Sequence, residues 1–357
     1  MKILYCAANM SHIEKFHIPY IEKLKSDGHT VEIMAGGDGS DYDIFFYEKI
    51  SRKEKKECRS AVFSVIKDGG FDAIVLTTHA AAYQIRRSLI LPKRPKVLYI
   101  ASGYPFEYKD SSIKKLAFMF KEKLLSGVTD NIIVMNDDDY DIALVNKLAK
   151  NPPVKITGLG AKIMPMAASC EQVREEMLSK NKFVITFVGD LCDEKNQKML
   201  IEAMPAIKEK IPSAVLWLVG EGAKKRELIS LTDSLGLYDS VIFAGRRSNP
   251  CDFMRASDLY VSASVVEGMP FNIVEALGVG ARVLCSDIKG HKDIIHDGKE
   301  GFLFTAGDKG ALVKRVFEIY ENGLRQDARL AAKAYSEHCF DEVFEDSYKA
   351  ILSGISE

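Results

Sequence analysis

Two glutamates, Glu267 and Glu275, stand eight positions apart in the stretch SASVVEGMPFNIVEALGVGARVLCSDIKGHKDIIHDGKEGFLF, residues 262–304. Gly268, Met269 and Pro270 form a turn between them. Pro270 suits the first turn of a helix, where a missing N–H costs nothing. The free N–H groups of Met269, Phe271 and Asn272 would then suit an anion, although a plain capped helix start is the competing reading. Glu275 falls in the second turn, among Phe, Ile, Val, Ala, Leu and Gly. A carboxylate in such company is costly unless partnered, and an ionised one only accepts hydrogen bonds. Vicinal hydroxyls of a ligand would satisfy it; a solvated helix edge is the alternative. Glu267 follows a strand and a turn, facing either a reacting centre or water. A third element is FVGDLCDEKNQKMLIEA, with Gly189 after a strand and Lys195 just before a helix. A lysine there reaches a phosphate as a point charge. Neither a P-loop nor a dinucleotide fingerprint is present, since GLG at 158–160 and GEG at 220–222 lack the spacing.

The elements that must hold these residues are legible from apolar runs. KILYCAA, HTVEIMAGG, FDAIVLTT, KVLYIAS and NIIVMN read as strands separated by helices such as HIPYIEKLKSDG and DDDYDIALVNKLAK. AANMSHIEKF, after the first strand, reads as a polar connection. A linker and one helix follow VKITGLG, and the pattern restarts with FVITFVGD, AVLWLVGEG, SVIFAGR, DLYVSAS, ARVLCS and EGFLF. Apolar strands alternating with helices predict mostly parallel sheets covered on both faces. Ligands of such sheets bind beyond the carboxyl ends of the strands.

Length and composition set the outer bounds. A chain of 357 residues is too long for one ordinary core and suits two domains. Apolar content of 47% with 28% charged residues fits a globular protein. The net charge of −1 gives no basic excess for nucleic acid. Seven scattered cysteines without a CxxC point to reduced thiols and a cytoplasmic setting. The N-terminal apolar run is short and reads as a buried strand, not an export signal. SSIKKLAFMFKEKLLS combines four lysines with Leu, Phe and Met. Two readings stand: a helix against the anionic cytoplasmic face of a membrane, or an ordinary helix with its lysines in water.

Taken together, SVVEGMPFNIVEALGVGARVLCSDIKGHKDIIHDGKEGFLF resembles the signature region of the family 4 glycosyltransferases, the retaining group with the GT-B fold. FVG…KNQ…LIEA, LVGEG, LGL…V.FAG and ASDLYVSAS match the same group in order. MKILYCAANMSHIEKFHIPY and MNDDDYDIALV are similar to enzymes of bacterial capsule and exopolysaccharide assembly. The resemblance implies two Rossmann-like parallel-sheet domains facing a central cleft. An acceptor-binding domain over 1–165 would precede a nucleotide-sugar domain over 166–335, with a final helix in 336–357 crossing back. It implies transfer of a sugar from a nucleotide donor, a UDP-sugar, to a glycan or lipid-linked saccharide, without a required metal.

By the same resemblance, Glu275 would hold the donor ribose and Glu267 the donor sugar. Lys195 would neutralise the leaving diphosphate. Backbone N–H groups of Gly268, Met269, Phe271 and Asn272, around Pro270, would meet sugar and diphosphate. Gly189, Gly220 and Gly222 would shape the strand ends, and Arg246 would border the base. Two departures stand out. Asp190 replaces the arginine that usually follows the glycine of FVG, so Arg246 or Arg247 would have to supply that charge. Ser102, in YIASGYPFEY, stands where similar chains carry a histidine near the donor sugar. Ser102 can donate a hydrogen bond but cannot carry positive charge. His17 and His79 read as structural or acceptor-facing. Two other functions compete: a non-hydrolysing UDP-sugar 2-epimerase, and a nucleotide-sugar-binding protein with decayed chemistry.

Overall fold

The computed structural model describes residues 1–44, 52–89, 94–106 and 113–356. Glu107, Tyr108, Ser111 and Ser112, expected in a loop and the helix that follows it, lie outside the described residues. The chain divides into two compact units: Met1–Leu159 with Val343–Glu357, and Gly160–Glu342.

The first unit carries β1 (Lys2–Asn9), β2 (Thr30–Gly36), β3 (Tyr42–Asp43), β4 (Ala73–Leu76), β5 (Lys96–Ile100), β6 (Asn131–Val134) and β7 (Val154–Lys155). They form one sheet in the order β3-β2-β1-β4-β5-β6-β7, each pair parallel. Its helices are α1 (Met10–Phe16), α2 (Ile18–Ser26), α3 (Arg52–Gly69), α4 (His79–Ser88), α5 (Ile113–Leu125) and α6 (Asp137–Asn146). Both faces of the central strands are covered, so Ile3, Leu4, Tyr5 and Cys6 are all buried, as are Ala73 to Leu76. Such strands read as continuous apolar runs rather than alternating ones. The expected polar connection after β1 is instead α1. The Asn9 side chain accepts from the His12 N–H at 3.0 Å, capping a helix whose Met10 and Ile13 turn into the core.

The second unit carries α7 (Cys170–Glu176), β8 (Phe183–Val188), α8 (Gln197–Lys210), β9 (Ala214–Val219), α9 (Lys225–Ser234), β10 (Val241–Gly245), α10 (Pro250–Ala256) and β11 (Leu259–Ser262). After these come α11 (Phe271–Gly278), β12 (Val283–Ser286), α12 (His291–Ile294), β13 (Phe302–Phe304), α13 (Lys309–Glu321) and α14 (Ala328–His338). Strand order is β10-β9-β8-β11-β12-β13, again all parallel. This is the doubly wound order, in which the crevice for a ligand opens where the winding reverses. Here that point lies between β8 and β11. The loops leaving these two strands carry Gly189 to Lys195 and Ala263 to Pro270.

A final helix, α15 (Phe340–Ser356), begins in the second unit and ends in the first. The Ser347 hydroxyl donates to the Gly158 carbonyl at 2.7 Å, and the Tyr348 hydroxyl to Asp27 at 2.6 Å. Gly354 lies so close to Leu98 that a Cβ would stand 2.8 Å from its side chain.

Candidate active site

The loop from β11 to α11 brings two of the expected groups, Glu267 and Lys195, together. Glu267 is only 9% exposed, and its Oε1 is ion-paired with the Lys195 ammonium. The Ser264 hydroxyl donates to the same oxygen at 2.8 Å. Lys195 comes from the end of the β8 loop, 72 positions away in sequence. A lysine on one switch-point loop and a carboxylate on the other thus meet where a ligand of this sheet would bind. Glu275 lies half-buried in the second turn of α11. The Tyr260 phenol, fully buried on β11, is held well above its ordinary range, first by burial and then by the charges of Glu275 and Glu267. Both carboxylates therefore bear on the Tyr260 phenol.

Two expectations about that mouth need correction. Pro270 is the N-cap residue and not the first helical one; α11 starts at Phe271. The Phe271 N–H is used locally, donating to the Met269 carbonyl at 3.1 Å. A proline N-cap has no side-chain acceptor, so the turn closes on itself. Among the described residues no acceptor meets the N–H of Met269 or Asn272, and these two remain available to an anion. The Asn272 side chain is structural: its amide donates to the Val188 carbonyl at 3.2 Å, tying α11 to the end of β8.

The glycines are dictated by close backbone contact. A Cβ on Gly220 would stand 2.0 Å from the Gly189 carbonyl oxygen, and one on Gly222 would stand 2.3 Å from that of Leu191. Gly189 and Gly220 also have φ of +151° and +147°, which side chains avoid. The loops after β8 and β9 are thereby pressed together and hydrogen-bonded, Gly189 N–H to Val219 and Leu191 N–H to Glu221. Asp190 is exposed, and the buried Gln197 side chain donates to its carbonyl at 2.8 Å, fixing the backbone ahead of Lys195.

Arg247, one of the two candidates for the missing positive charge, is engaged elsewhere. Its guanidinium pairs with Glu176 at 2.7 Å, donates to the Ala244 carbonyl and lies over the Phe253 ring. Arg246, exposed just beyond β10, is the remaining candidate. Ser102 lies in the first unit, exposed on the loop after β5. That loop is held by the buried Asp139 carboxylate, which accepts from the Tyr104 N–H at 3.3 Å. His79 opens α4, stacks on Phe118 and contacts the Tyr99 hydroxyl at 3.3 Å. His17 is buried against the Tyr5 hydroxyl at 2.9 Å and His12 at 3.3 Å. Burial pushes its imidazole well below the ordinary range, and that of His12 to about 4. Among the described residues, no group of three or more His, Cys, Asp or Glu side chains is placed to hold a metal ion.

Ser262, Ser264, Ser286 and His291, all fully buried behind Glu267, are not among the residues expected from the sequence. Small hydroxyls in SAS and a lone histidine in IKGHKDII carry no periodic signal. Only the fold brings them together.

Comparison with known proteins agrees with this geometry. Residues 170–337 match the family described as glycosyl transferases group 1. A protein of Bacillus subtilis (strain 168) that carries the name "Putative glycosyltransferase EpsD" is 31% identical, the match covering 98% of this chain and 97% of that one. An Escherichia coli UDP-Gal:alpha-D-GlcNAc-diphosphoundecaprenol alpha-1,3-galactosyltransferase is 23% identical over 88% of this chain and 86% of its own. Among solved structures, Anabaena Alr3699/HepE in complex with UDP-glucose superposes with a TM-score of 0.73 at 19% identity, covering 99% of this chain and all of that one. Two doubly wound parallel sheets, the carboxylate and lysine at the switch point and full-length similarity to EpsD converge: the chain belongs to the group 1 glycosyltransferases, with the GT-B fold.

Proposed function

We propose that this glycosyltransferase moves a hexosyl or N-acetylhexosaminyl unit from a UDP-sugar, with retention, to a lipid-linked saccharide during surface polysaccharide synthesis at the cytoplasmic face of the membrane. The Lys195–Glu267–Ser264 cluster at the mouth of α11 carries the reading. The second unit binds the nucleotide sugar and the first the acceptor. Glu275 accepts from the ribose hydroxyls. The N–H groups of Met269 and Asn272, with Lys195, take the diphosphate. Glu267, kept in place by Ser264, accepts from hydroxyls of the donor sugar. Gly268, Pro270 and Phe271 shape the turn, Gly189, Gly220 and Gly222 the strand ends, Arg246 borders the base, and Ser102 hydrogen-bonds near the sugar. The names of the galactosyltransferase relative and of the HepE complex support the UDP-linked donor.

The chemistry is charge stabilisation and orientation. The bond from the anomeric carbon to the diphosphate breaks. The acceptor oxygen bonds to that carbon on the same face, and its proton passes to a departing phosphate oxygen. Glu267 suits sugar orientation better than nucleophilic attack, because its Oε1 is already claimed by Lys195 and Ser264.

Membrane contact has its own observation. Ile113, Leu116, Phe120 and Leu124 follow one another at helical spacing on α5 and are 83%, 65%, 66% and 68% exposed. The opposite side of α5 is fixed by Glu122, fully buried in a two-pronged pair with Arg86. The outward face is therefore apolar, with Lys121 and Lys123 on its two flanks. A stripe of this kind suits an anionic lipid surface. Among the described residues no helix is long and apolar enough to cross a membrane.

Thermal stabilisation by UDP, GDP and ADP and by their sugars tests the donor. UDP is expected to stabilise the protein, and Glu275→Gln to weaken UDP binding by about tenfold, the scale of one charged hydrogen bond. A sugar product formed without acceptor would favour the epimerase instead. Donor binding with neither transfer nor donor hydrolysis would favour the binding protein.

A further inference from the structure

Behind Glu267 lies a closed polar ring that the proposed chemistry does not use. His291, fully buried at the start of α12, sets its Nδ1 2.8 Å from the Ser286 carbonyl oxygen. A carbonyl only accepts, so the imidazole hydrogen sits on Nδ1. The Ser286 hydroxyl donates to the Ser264 carbonyl at 2.6 Å. On the other side of the ring, Nε2 lies 3.4 Å from the Ser262 hydroxyl, and Ser262 lies 3.1 Å from the Ser264 hydroxyl. Ser264 spends its single hydrogen on Glu267. It must therefore accept from Ser262, and Nε2 competes for that same hydrogen. His291 thus holds Ser264 at its carbonyl through Ser286, while Nε2 and the Ser264 hydroxyl share the single hydrogen of Ser262.

Gly290 completes the arrangement from the backbone side. A Cβ there would stand 2.9 Å from the Glu267 carbonyl oxygen and 3.1 Å from its Cβ. Its φ of +77° also favours glycine. The turn before α12 presses on the Glu267 backbone while the serines hold its carboxylate.

We infer that His291 is a positioning residue for the transfer reaction, acting through Ser262, Ser286 and Ser264 to aim the Glu267 carboxylate at the donor sugar. This rests on the role given to Glu267 above. A carboxylate on a loop has rotamer freedom, and a misplacement of about 1 Å can cost on the order of a hundredfold in rate. Lys195 alone cannot fix the carboxylate, because its ammonium is also the group offered to the diphosphate. Once it turns to a phosphate, Ser264 is the remaining hold on Oε1.

The test is a double-mutant cycle with His291→Phe, which keeps ring volume and loses both hydrogen bonds, and Ser264→Ala. Affinity for UDP alone is read by titration. Turnover is read as UDP release from the best of UDP-glucose, UDP-galactose and their N-acetylhexosamine counterparts. Each single variant is expected to keep UDP affinity within twofold and lose at least tenfold in kcat. The double variant should lose no more than the worse single. His291→Gln, whose amide can meet Ser262, should recover part of the loss. Independent multiplication of the two losses, or wild-type kcat in His291→Phe, overturns the inference. A second readout needs no donor: the 15N resonances of the His291 ring are expected to show hydrogen on Nδ1 and to move in Ser264→Ala. Resonances unmoved by that change overturn the network. Failure to bind UDP with the network intact would instead sink the proposed donor.

Discussion

At the scale of single residues, the site depends on a carboxylate that is nearly buried and held by a cation and a hydroxyl. Removing one partner of such a pair leaves a charge without compensation. Lys195→Ala is expected to lower the melting temperature and to cut kcat by about a hundredfold or more, since it also removes the cation proposed to face the leaving diphosphate. Steady-state kinetics beside thermal melts check both parts; unchanged kcat would take Lys195 out of the chemistry. Gly220→Ala tests the close packing of loops. Its Cβ would collide with the Gly189 carbonyl at a φ side chains avoid, so a loss of at least about 2 kcal/mol is expected in urea unfolding. Glu267, Glu275 and Lys195 were legible as candidates because their residue types sit at or near the ends of clear strands and helices. The pairing of Lys195 with Glu267 was not, because it joins residues 72 positions apart. Nor was His291, since a histidine between Gly290 and Lys292 looks solvent-facing until β12 and α12 enclose it.

At the scale of elements, α11 and α5 show two opposite uses of a helix. α11 buries Ile273, Val274, Ala276 and Leu277 and offers its first turn to the site. Its apolar spacing made it legible from Phe271 onward, and Pro270, which also suits a first turn, serves as its N-cap. α5 turns its apolar face outward. Composition alone left two readings open, because the side facing the core is decided by long-range contacts, among them the pair of Arg86 with Glu122. Phe120→Glu combined with Leu116→Glu is expected to weaken binding to vesicles of phosphatidylglycerol and phosphatidylcholine by at least tenfold. Each buried side chain of this size is worth about 1.5–3 kcal/mol. UDP affinity should be unchanged. Vesicle sedimentation reads the outcome, and equal binding by wild type and variant would remove α5 from the membrane. The failure to foresee α1 has a simple cause: only Met10 and Ile13 of that short helix are buried, too few to set a period.

At the scale of the whole molecule, two parallel sheets were legible from apolar runs alternating with helices, and the GT-B fold from the motif order. Strand order was not, since a parallel strand pairs across a helix with no local sequence signal. The buried histidines give the molecule a pH signature. His17, His12 and His291 all have imidazoles held below the ordinary value of 6.5, chiefly by burial. Below about pH 6.5 the unfolded chain takes up protons that the folded one resists. Stability is therefore expected to be full above that pH and to fall as pH drops toward 4. The Asp130 carboxylate, held near 2 by Arg94, Lys150 and the Val97 N–H against the cost of burial, loses its contribution only at lower pH, below about 4. Melting temperatures between pH 7.5 and 4.5 check this, with His17→Gln flattening the slope; a flat wild-type profile would contradict it. The most direct test of the central claim is a crystal structure with an intact UDP-sugar. The account predicts the diphosphate against Lys195 and the N–H groups of Met269 and Asn272, the ribose on Glu275 and the sugar on Glu267. A nucleotide bound away from the mouth of α11, with both glutamates untouched, would contradict it.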